Sequence, residues 1–387
     1  MQKEFEECDV VICGGGPAGM TAALALADSG LKVVVLEKEH FPREKICGGA
    51  VAAYVPKVLN TINPAYKQAL EEFTLKEEVN TCRVFAPNGK ALDLTFSESG
   101  FISKRLDFDN FLYRMVSQIS SVKVMQGTKL TDVKITDEGV FISTNNDIRI
   151  NAKLLIACDG AHSVARKKLT QDTIDLYHHS AAVRAYYRNV EGMTAGVYEL
   201  HFCKDILPGY FWIFPLPDNC ANVGLGMLSR HIAVNKVNLR DEMLKIIQSV
   251  PYIQKRFANA EMTDEIRAYD LPLGSRKTII SGKRFLLCGD AASLIDPATG
   301  EGIGQAMVSG RYAGWQAKAC FEKNDFGADF MKQYDKTVYD KLWLSNRRRY
   351  RLQKTIDKRP WVLNFGVNSA LNFRFIHRMI EKFIAQS

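Results

Sequence analysis

The residues Val10-Val11-Ile12-Cys13-Gly14-Gly15-Gly16-Pro17-Ala18-Gly19 constrain this chain more than any others. A short apolar run stops at three glycines, and a helix-forming run from Met20 to Ala27 follows at once. The order is strand, tight turn, helix. Gly14 lets the chain turn where a Cβ would clash, Gly16 lets the backbone approach a pyrophosphate, and Gly19 lets the helix lie close on the strand. The helix N-terminus, with Pro17 and Ala18 beside it, presents free N–H groups and a partial positive charge to the phosphates. A second apolar run, Leu31 to Leu36, ends in Glu37-Lys38, about 20 residues on, where a carboxylate can bind a ribose hydroxyl. An acid there favours an unphosphorylated ribose, so FAD or NAD rather than NADP. A lone GxGxxG is weak evidence; with both strands, the helix and the terminal acid in order, dinucleotide binding is preferred to a ligand-free glycine turn.

The totals bound what else the chain can be. With 387 residues and 47% hydrophobic content it can bury a sizeable core in two or three packed units. No run approaches the ~18 apolar residues of a membrane span. The first strand begins near Cys8, which leaves no room for a cleavable signal. Nine cysteines lack CxxC spacing, and Cys8, Cys13, Cys158 and Cys288 fall on apolar strand-like runs, as buried thiols do. These features predict a reduced, cytoplasmic protein with no metal site. The net charge of +8 is uneven: from Lys341 onward eleven Lys or Arg face two acids, Asp357 and Glu381, and the remainder is close to neutral.

Beyond Glu37, Phe41-Pro42-Arg43-Glu44-Lys45-Ile46-Cys47-Gly48-Gly49 is a polar loop predicted to feed a helix from Ala50 to Asn60. Residues 80–96 alternate and turn at Pro87-Asn88-Gly89, a hairpin signal. Asp107 is placed to cap a helix from Phe108 to Ile119. Lys153 to Cys158 is another apolar strand, ending in Asp159-Gly160-Ala161-His162-Ser163, with a helix carrying Arg166 beyond. Residues 177–228 read as strands of a different layer, and 238–249 as a helix closed by Pro251. Phe285 to Cys288 is a buried strand ending in Gly289-Asp290, and Ile303 to Glu322 is a long helix. Strands of parallel type at 8–13, 32–36, 153–157 and 284–288 lie far apart in sequence, so the nucleotide domain is assembled from separate pieces with the β-rich layer inserted.

At Asp159-Gly160 and Gly289-Asp290 the chain resembles the flavoprotein family that contains p-hydroxybenzoate hydroxylase, over about residues 8–320. The resemblance implies FAD held by three fingerprints: Gly14, Gly16, Gly19 and Glu37; then Asp159 and Gly160; then Gly289 and Asp290 with Pro297, Gly300 and Gly302. It also implies an FAD contact for Arg105 and a flavin-side position for the loop holding Arg43, Cys47 and Gly48. The expected fold is α/β: a Rossmann-like FAD-binding domain (1–75, 101–172, 275–322), an inserted β-rich substrate domain (76–100, 173–274) and a basic C-terminal helical region (323–387). Asp290 follows a strand and can accept hydrogen bonds from ribityl hydroxyls, while Gly300-Glu301-Gly302 opens the helix at Ile303, whose N–H groups can face the flavin edge where reduction deposits charge. There is no second strand-GxGxxG-helix unit, so electrons come from a transiently docked NAD(P)H or from a redox partner protein.

The loop 41–49 and the pattern Tyr210-Phe211-Trp212-Ile213-Phe214-Pro215, followed eight residues later by Gly224-Leu225-Gly226, resemble the geranylgeranyl reductase branch. That branch reduces isolated C=C bonds of polyprenyl chains on lipids, chlorophyll precursors or quinones. Period-2 geometry puts Tyr210, Trp212 and Phe214 on one sheet face, an aromatic wall suited to a hydrocarbon chain or flat ring; Phe211 and Ile213 make the other face buried too, so a plain core strand is the competing reading. The expected chemistry is hydride transfer from reduced flavin to one alkene carbon with protonation of the other. Cys47 and Tyr210 are candidates for a chemical role, Cys47 because Arg43 or Lys45 could activate its thiol. His162 is a candidate by chemical type only and reads better as structural, on the second fingerprint's helix. Flavin-dependent halogenases, with a related WxWxIP strand, and aromatic monooxygenases are the alternatives, separated from a reductase by their need for O2. A flavin-bound electron carrier is the non-enzyme alternative.

The tail interleaves cations and aromatics in Arg347-Arg348-Arg349-Tyr350-Arg351 and Lys358-Arg359-Pro360-Trp361, and 373–384 has an amphipathic pattern. Two readings stand: a peripheral contact with anionic lipid at the inner membrane face, and a solvated helical face packed on the FAD domain. Nucleic-acid binding is not expected.

Overall fold

A computed structural model describes residues 5–385. At its centre lies a six-stranded sheet in the order Ser281–Gly282, Phe285–Leu287, Leu154–Ala157, Val10–Cys13, Val33–Leu36, Val122–Met125. All neighbours are parallel except the first pair. The four inner strands are apolar runs buried along their whole length, as expected where helices cover both faces. The helix Pro17–Ala25 is buried at every position. It lies against Ile303–Lys323 so closely that a Cβ on Gly310 would sit 2.1 Å from the Ala18 carbonyl oxygen. Strands from sequence positions as distant as 10, 154 and 285 thus meet edge to edge. A four-stranded sheet (Phe5–Glu7, Arg149–Ala152, Val140–Thr144, Leu130–Ile135) adjoins this unit.

The second layer is a larger sheet in the order Glu261–Met262, His179–Arg188, Cys220–Leu228, Tyr210–Leu216, Val197–His201, Glu77–Phe85, Ala91–Ile102, Ala50–Val51, with Arg267–Pro272 also paired to His179–Arg188. Alternation divides its faces. Phe211, Ile213, Val223 and Leu225 pack with Met243, Ile246 and Ile253 from the helices Leu239–Ser249 and Pro251–Arg256. Trp212 and Phe214 pack on the opposite side with Tyr186 and Val79, and Tyr210 leans on that cluster.

Several local expectations are corrected. The helix predicted from Ala50 begins only at Val55 and runs to Ile62; Ala50 and Val51 instead pair with Ile102 and Phe101. Pro56 fits the first turn of that helix, where its missing N–H costs nothing, while the strand pairing claims Ala50 and Val51. Asp107 is not a cap: the helix already starts at Arg105, and Asp107 lies in its first turn, where a negative charge suits the helix dipole. Pro251 ends one helix and starts the next. His162 lies in a turn ahead of the helix Val164–Thr170, and its exposed ring meets Asp270.

The C-terminal region is not one unit. The helix Ala328–Lys358 buries Met331, Tyr334 and Val338 in the main core, and the Tyr334 hydroxyl donates to the Leu287 carbonyl at 2.7 Å. The two helices after it, Trp361–Asn372 and Arg374–Ala385, pack on the second layer. Among the described residues no helix is long and apolar enough to cross a membrane.

Candidate active site

The glycine loop follows from steric limits. Gly14 has φ +105°, and a Cβ there would stand 2.2 Å from the Cys158 carbonyl oxygen; one on Gly19 would stand 1.9 Å from the Gly14 oxygen. A Cβ on Gly16 would meet nothing nearer than an Arg105 nitrogen at 3.9 Å. Two glycines are therefore needed for chain packing, and the third leaves open space in front of a helix N-terminus, the form of a phosphate cradle. Glu37 closes the loop: its Oε2 accepts from the Gly15 N–H at 3.0 Å and from Arg43 at 3.1 Å. Arg43 also donates to Asp109 at 2.7 Å, and Arg105 grips both oxygens of Asp109 at 2.6 and 2.7 Å. Burial alone would raise the Asp109 pKa, but Arg105 and Arg43 outweigh it and hold the carboxyl below its ordinary range. This buried Arg–Asp–Arg bridge ties the loop after Glu37 to the helix Arg105–Ser117.

In front of the loop lies a cavity of about 1140 Å³, larger than the ~300–1,000 Å³ of typical small-molecule sites. Segments from all three fingerprints reach it: Gly16, Pro17 and Ala18; Gly160; and Gly289, Asp290, Pro297, Gly300, Gly302 and Ile303. Cys47, Gly48 and Arg105 join them, as do Tyr210, Trp212, Phe214 and Gly226. Gly14, Gly19, Glu37, Lys38, Arg43, Asp159, Pro215 and Gly224 do not line it. Lys38 is exposed beside Glu39. Asp159 turns into the helix Val164–Thr170, accepting from the Val164 and Ala165 N–H groups at 2.8 and 3.2 Å. Glu301 bonds back to the Gly304 N–H at 2.6 Å and accepts from the Tyr54 hydroxyl at 3.1 Å. Burial pushes the pKa of its carboxyl up to about 7.

The aromatic wall explains its own sequence pattern. In the antiparallel register Trp212 faces Gly224, Tyr210 faces Gly226 and Phe214 faces Asn222. A Cβ on Gly224 would lie 2.2 Å from the Trp212 ring. The glycines leave the sheet bare so that the indole can lie across it. The Trp212 Nε1–H donates to Asn222 Oδ1 at 3.0 Å, and Asn222 Nδ2 donates to the Cys47 carbonyl at 2.8 Å. A Cβ on Gly48 would come 3.1 Å from Phe214. The wall and the loop 47–49 are thus locked together.

The chain matches the FAD binding domain family over residues 103–338 and the FAD dependent oxidoreductase family over residues 9–168. It belongs to the FAD-binding domain family. Two digeranylgeranylglycerophospholipid reductases, from Thermoplasma volcanium and Thermoplasma acidophilum, are each 28% identical over 98% of this chain and 97% of their own length. A geranylgeranyl bacteriochlorophyll reductase-like protein from T. acidophilum superposes with a TM-score of 0.76 at 26% identity, covering 90% of this chain and 87% of that one. A flavin-dependent brominase superposes with a TM-score of 0.81 at 19% identity, covering 98% and 94%, a likeness of fold.

This flavoprotein is an oxidoreductase, and its cavity contains groups that motif reading did not single out as site residues. Lys45 is half-buried and lines the cavity, with Nζ 3.0 Å from the centroid of the Tyr269 ring. Burial pushes its pKa down to about 8 against the opposing pull of Asp290. Behind the wall, and not lining the cavity, Asn222 gave no sequence signal beyond its place opposite Phe214, two residues before the Gly224-Leu225-Gly226 pattern. The apolar extension of the cavity, through Val79, Leu92, Leu94 and Leu200 to Val367 and Ile380, joins strands and helices remote in sequence.

Proposed function

We propose that this flavoprotein reduces isolated C=C bonds in a polyprenyl chain of a lipid or quinone. One observation carries the reading: the wall of Tyr210, Trp212 and Phe214 bounds the same cavity as the three nucleotide fingerprints, and that cavity continues into an apolar channel. The names of the reductase relatives support it. Gly16, Pro17 and Ala18 face the pyrophosphate, Gly14 and Gly19 let the loop and helix pack behind them, and Glu37 and Lys38 end the strand at the ribose side, Lys38 with its ammonium in solvent. Glu37 keeps acceptor capacity for this, since a carboxylate has about four lone-pair sites. Arg43, Arg105, Asp159 and Gly160 shape the loops around them, and Gly289, Asp290, Pro297, Gly300, Gly302 and Ile303 line the flavin side. We assign 1–75, 101–172 and 275–322 to the cofactor and 76–100 and 173–274 to the substrate, and of the basic region 323–387 the helices Trp361–Asn372 and Arg374–Ala385 close the far end.

Bound FAD, reduced by NAD(P)H or a protein donor, supplies the hydride. The chain supplies position and dryness. An unactivated alkene has no carbonyl to polarise, so holding it against a rigid wall carries much of the rate. Pro215, Gly224 and Gly226 keep that wall flat. The Tyr210 hydroxyl is committed to the Thr299 carbonyl, and burial raises its pKa, so it positions the third fingerprint rather than giving up a proton. Cys47 faces the cavity beside Arg105 and remains the chemical candidate in that loop.

Anaerobic turnover of prenyl lipid identified in the purified protein by native mass spectrometry tests the reading. The expected product gains two hydrogens per bond without O2. Turnover that requires O2 and yields a hydroxylated or halogenated ring overturns it in favour of a monooxygenase or halogenase. Flavin reduction with no acceptor in a prenyl-lipid panel leaves an electron carrier.

A further inference from the structure

The helices Trp361–Asn372 and Arg374–Ala385 roof the far end of the cavity. Their inner sides, through Val367, Ala370, Ile376 and Ile380, pack on Leu92, Leu94 and Phe96 of the strand Ala91–Ile102. Their outer sides carry Trp361, Phe365, Leu371, Phe373, Phe375 and Met379, all more than half exposed. Among the described residues, six of the seventeen exposed large apolar side chains thus fall within nineteen residues, so this is a patch and not scattered surface. Met379 is 54% exposed and also lines the cavity, which places an opening within the patch.

The unpaired exposed charge on and leading into the helix pair is positive, the nearby carboxylates Asp93 and Glu98 being paired with Arg83 and Lys57. Arg374, Arg378 and Lys382 recur every four residues on the exposed side of the last helix, and Arg351, Lys354, Lys358 and Arg359 are exposed at the end of the helix before the pair. The two acids of the tail turn away. Asp357 pairs with Arg230 and His231, and Glu381 accepts from the Thr95 N–H at 3.2 Å and meets His377 at 3.3 Å. Arg349 does not belong to the surface set, being buried against Asp296. A second copy of this chain presenting the same patch would bring like charges together, so the complementary occupant is anionic with an apolar interior.

We propose that this helix pair docks on an anionic lipid bilayer, and that the prenyl tail of a membrane lipid enters the cavity through the opening at Met379 while its headgroup stays at the interface. The entry route rests on the prenyl-lipid reading above; the docking does not. The aromatic and aliphatic side chains enter the acyl boundary, and the surrounding cations face the lipid phosphates.

The test uses the full-length, FAD-loaded protein in flotation with phosphatidylglycerol and phosphatidylcholine vesicles. Two variants are compared with it, Phe365→Ser with Phe375→Ser, and Arg374→Glu with Arg378→Glu. The wild type is expected to float with phosphatidylglycerol, less at high salt, and about tenfold less with phosphatidylcholine. Each variant is expected to lose about tenfold in flotation and in turnover of vesicle-embedded prenyl lipid. Both should keep bound flavin and wild-type turnover of geranylgeraniol in detergent micelles. Equal flotation of wild type and variants, or no preference for anionic vesicles, overturns the docking. A patch that instead changes the sedimentation of the protein without vesicles, with flotation unaffected, assigns it to self-association and also overturns the proposal. Intact flotation without turnover of any prenyl substrate overturns the reductase reading alone.

Discussion

At the glycine loop the cavity is bounded by backbone: Gly14 and Gly19 sit where any Cβ would strike a carbonyl oxygen, and Gly16 leaves space for a ligand. Across the cavity, at Tyr210, Trp212 and Phe214, the boundary is made of side chains resting on a sheet from which Gly224 and Gly226 have removed them. The first surface, in the proposed function, takes a charged group that is the same in every catalytic cycle, with N–H groups whose positions the main chain fixes. The second, in the proposed function, takes an apolar molecule by shape, using rings whose area would set the contact. One should therefore fail abruptly on small changes and the other by degrees.

The largest effect is expected for Gly14→Ala or Gly19→Ala. Each forces the main chain apart, so the protein should be colourless after purification and lose at least ~3 kcal/mol of stability in urea. Gly16→Ala sharpens the contrast: its methyl has room in the structure, so the urea midpoint of flavin-free protein should stay within ~0.5 kcal/mol while FAD affinity falls at least about tenfold. A Gly16→Ala protein as unstable as Gly14→Ala would break the distinction between packing and cradle glycines.

Next is Trp212→Ala, expected to cost ~3–5 kcal/mol by leaving a void while retaining FAD. Its turnover should fall and its acceptance of bulkier chains rise, read from competing substrates in one reaction. Asn222→Leu removes the link from the indole to the Cys47 carbonyl and should cost ~1–3 kcal/mol. Near-wild-type stability for that variant would show that wall and loop are held by packing alone.

The most gradual effect, small within any one pH unit, is a pH slope. Lys45, with its pKa near 8 in the fold and its ordinary 10.5 when unfolded, is neutral in the native protein and charged in the unfolded one between those values. The unfolded state then binds more protons, so this site's contribution to stability rises with pH through that window, by at most ~1.4 kcal/mol per pH unit. Lys45→Met should flatten that part of the urea-midpoint profile; an unchanged slope would mean the ammonium is not desolvated.

Much of the nucleotide-binding unit was legible because its requirements are local. Apolar runs ending in glycines or acids announce buried parallel strands, and Val10–Cys13, Leu154–Ala157 and Phe285–Leu287 stand where such runs were read. The helix at Ala50 was misread because its composition permits either state and pairing with Phe101 and Ile102 decided between them. Asp159 was read as part of a ligand site, and its carboxylate caps a helix; spacing does not fix where a short side chain points.

The sequence by itself determined that a dinucleotide loop exists, which glycines build it, and that Tyr210, Trp212 and Phe214 share a face, since each depends on steric limits or strand periodicity within a few residues. Tertiary structure decided what those features meet: the Arg43–Asp109–Arg105 bridge, the Trp212–Asn222–Cys47 chain, the desolvation of Lys45, and the division of the basic tail into a helix anchored in the main core and a pair on the second layer. These depend on distances between segments tens to hundreds of residues apart, which only the packed chain sets.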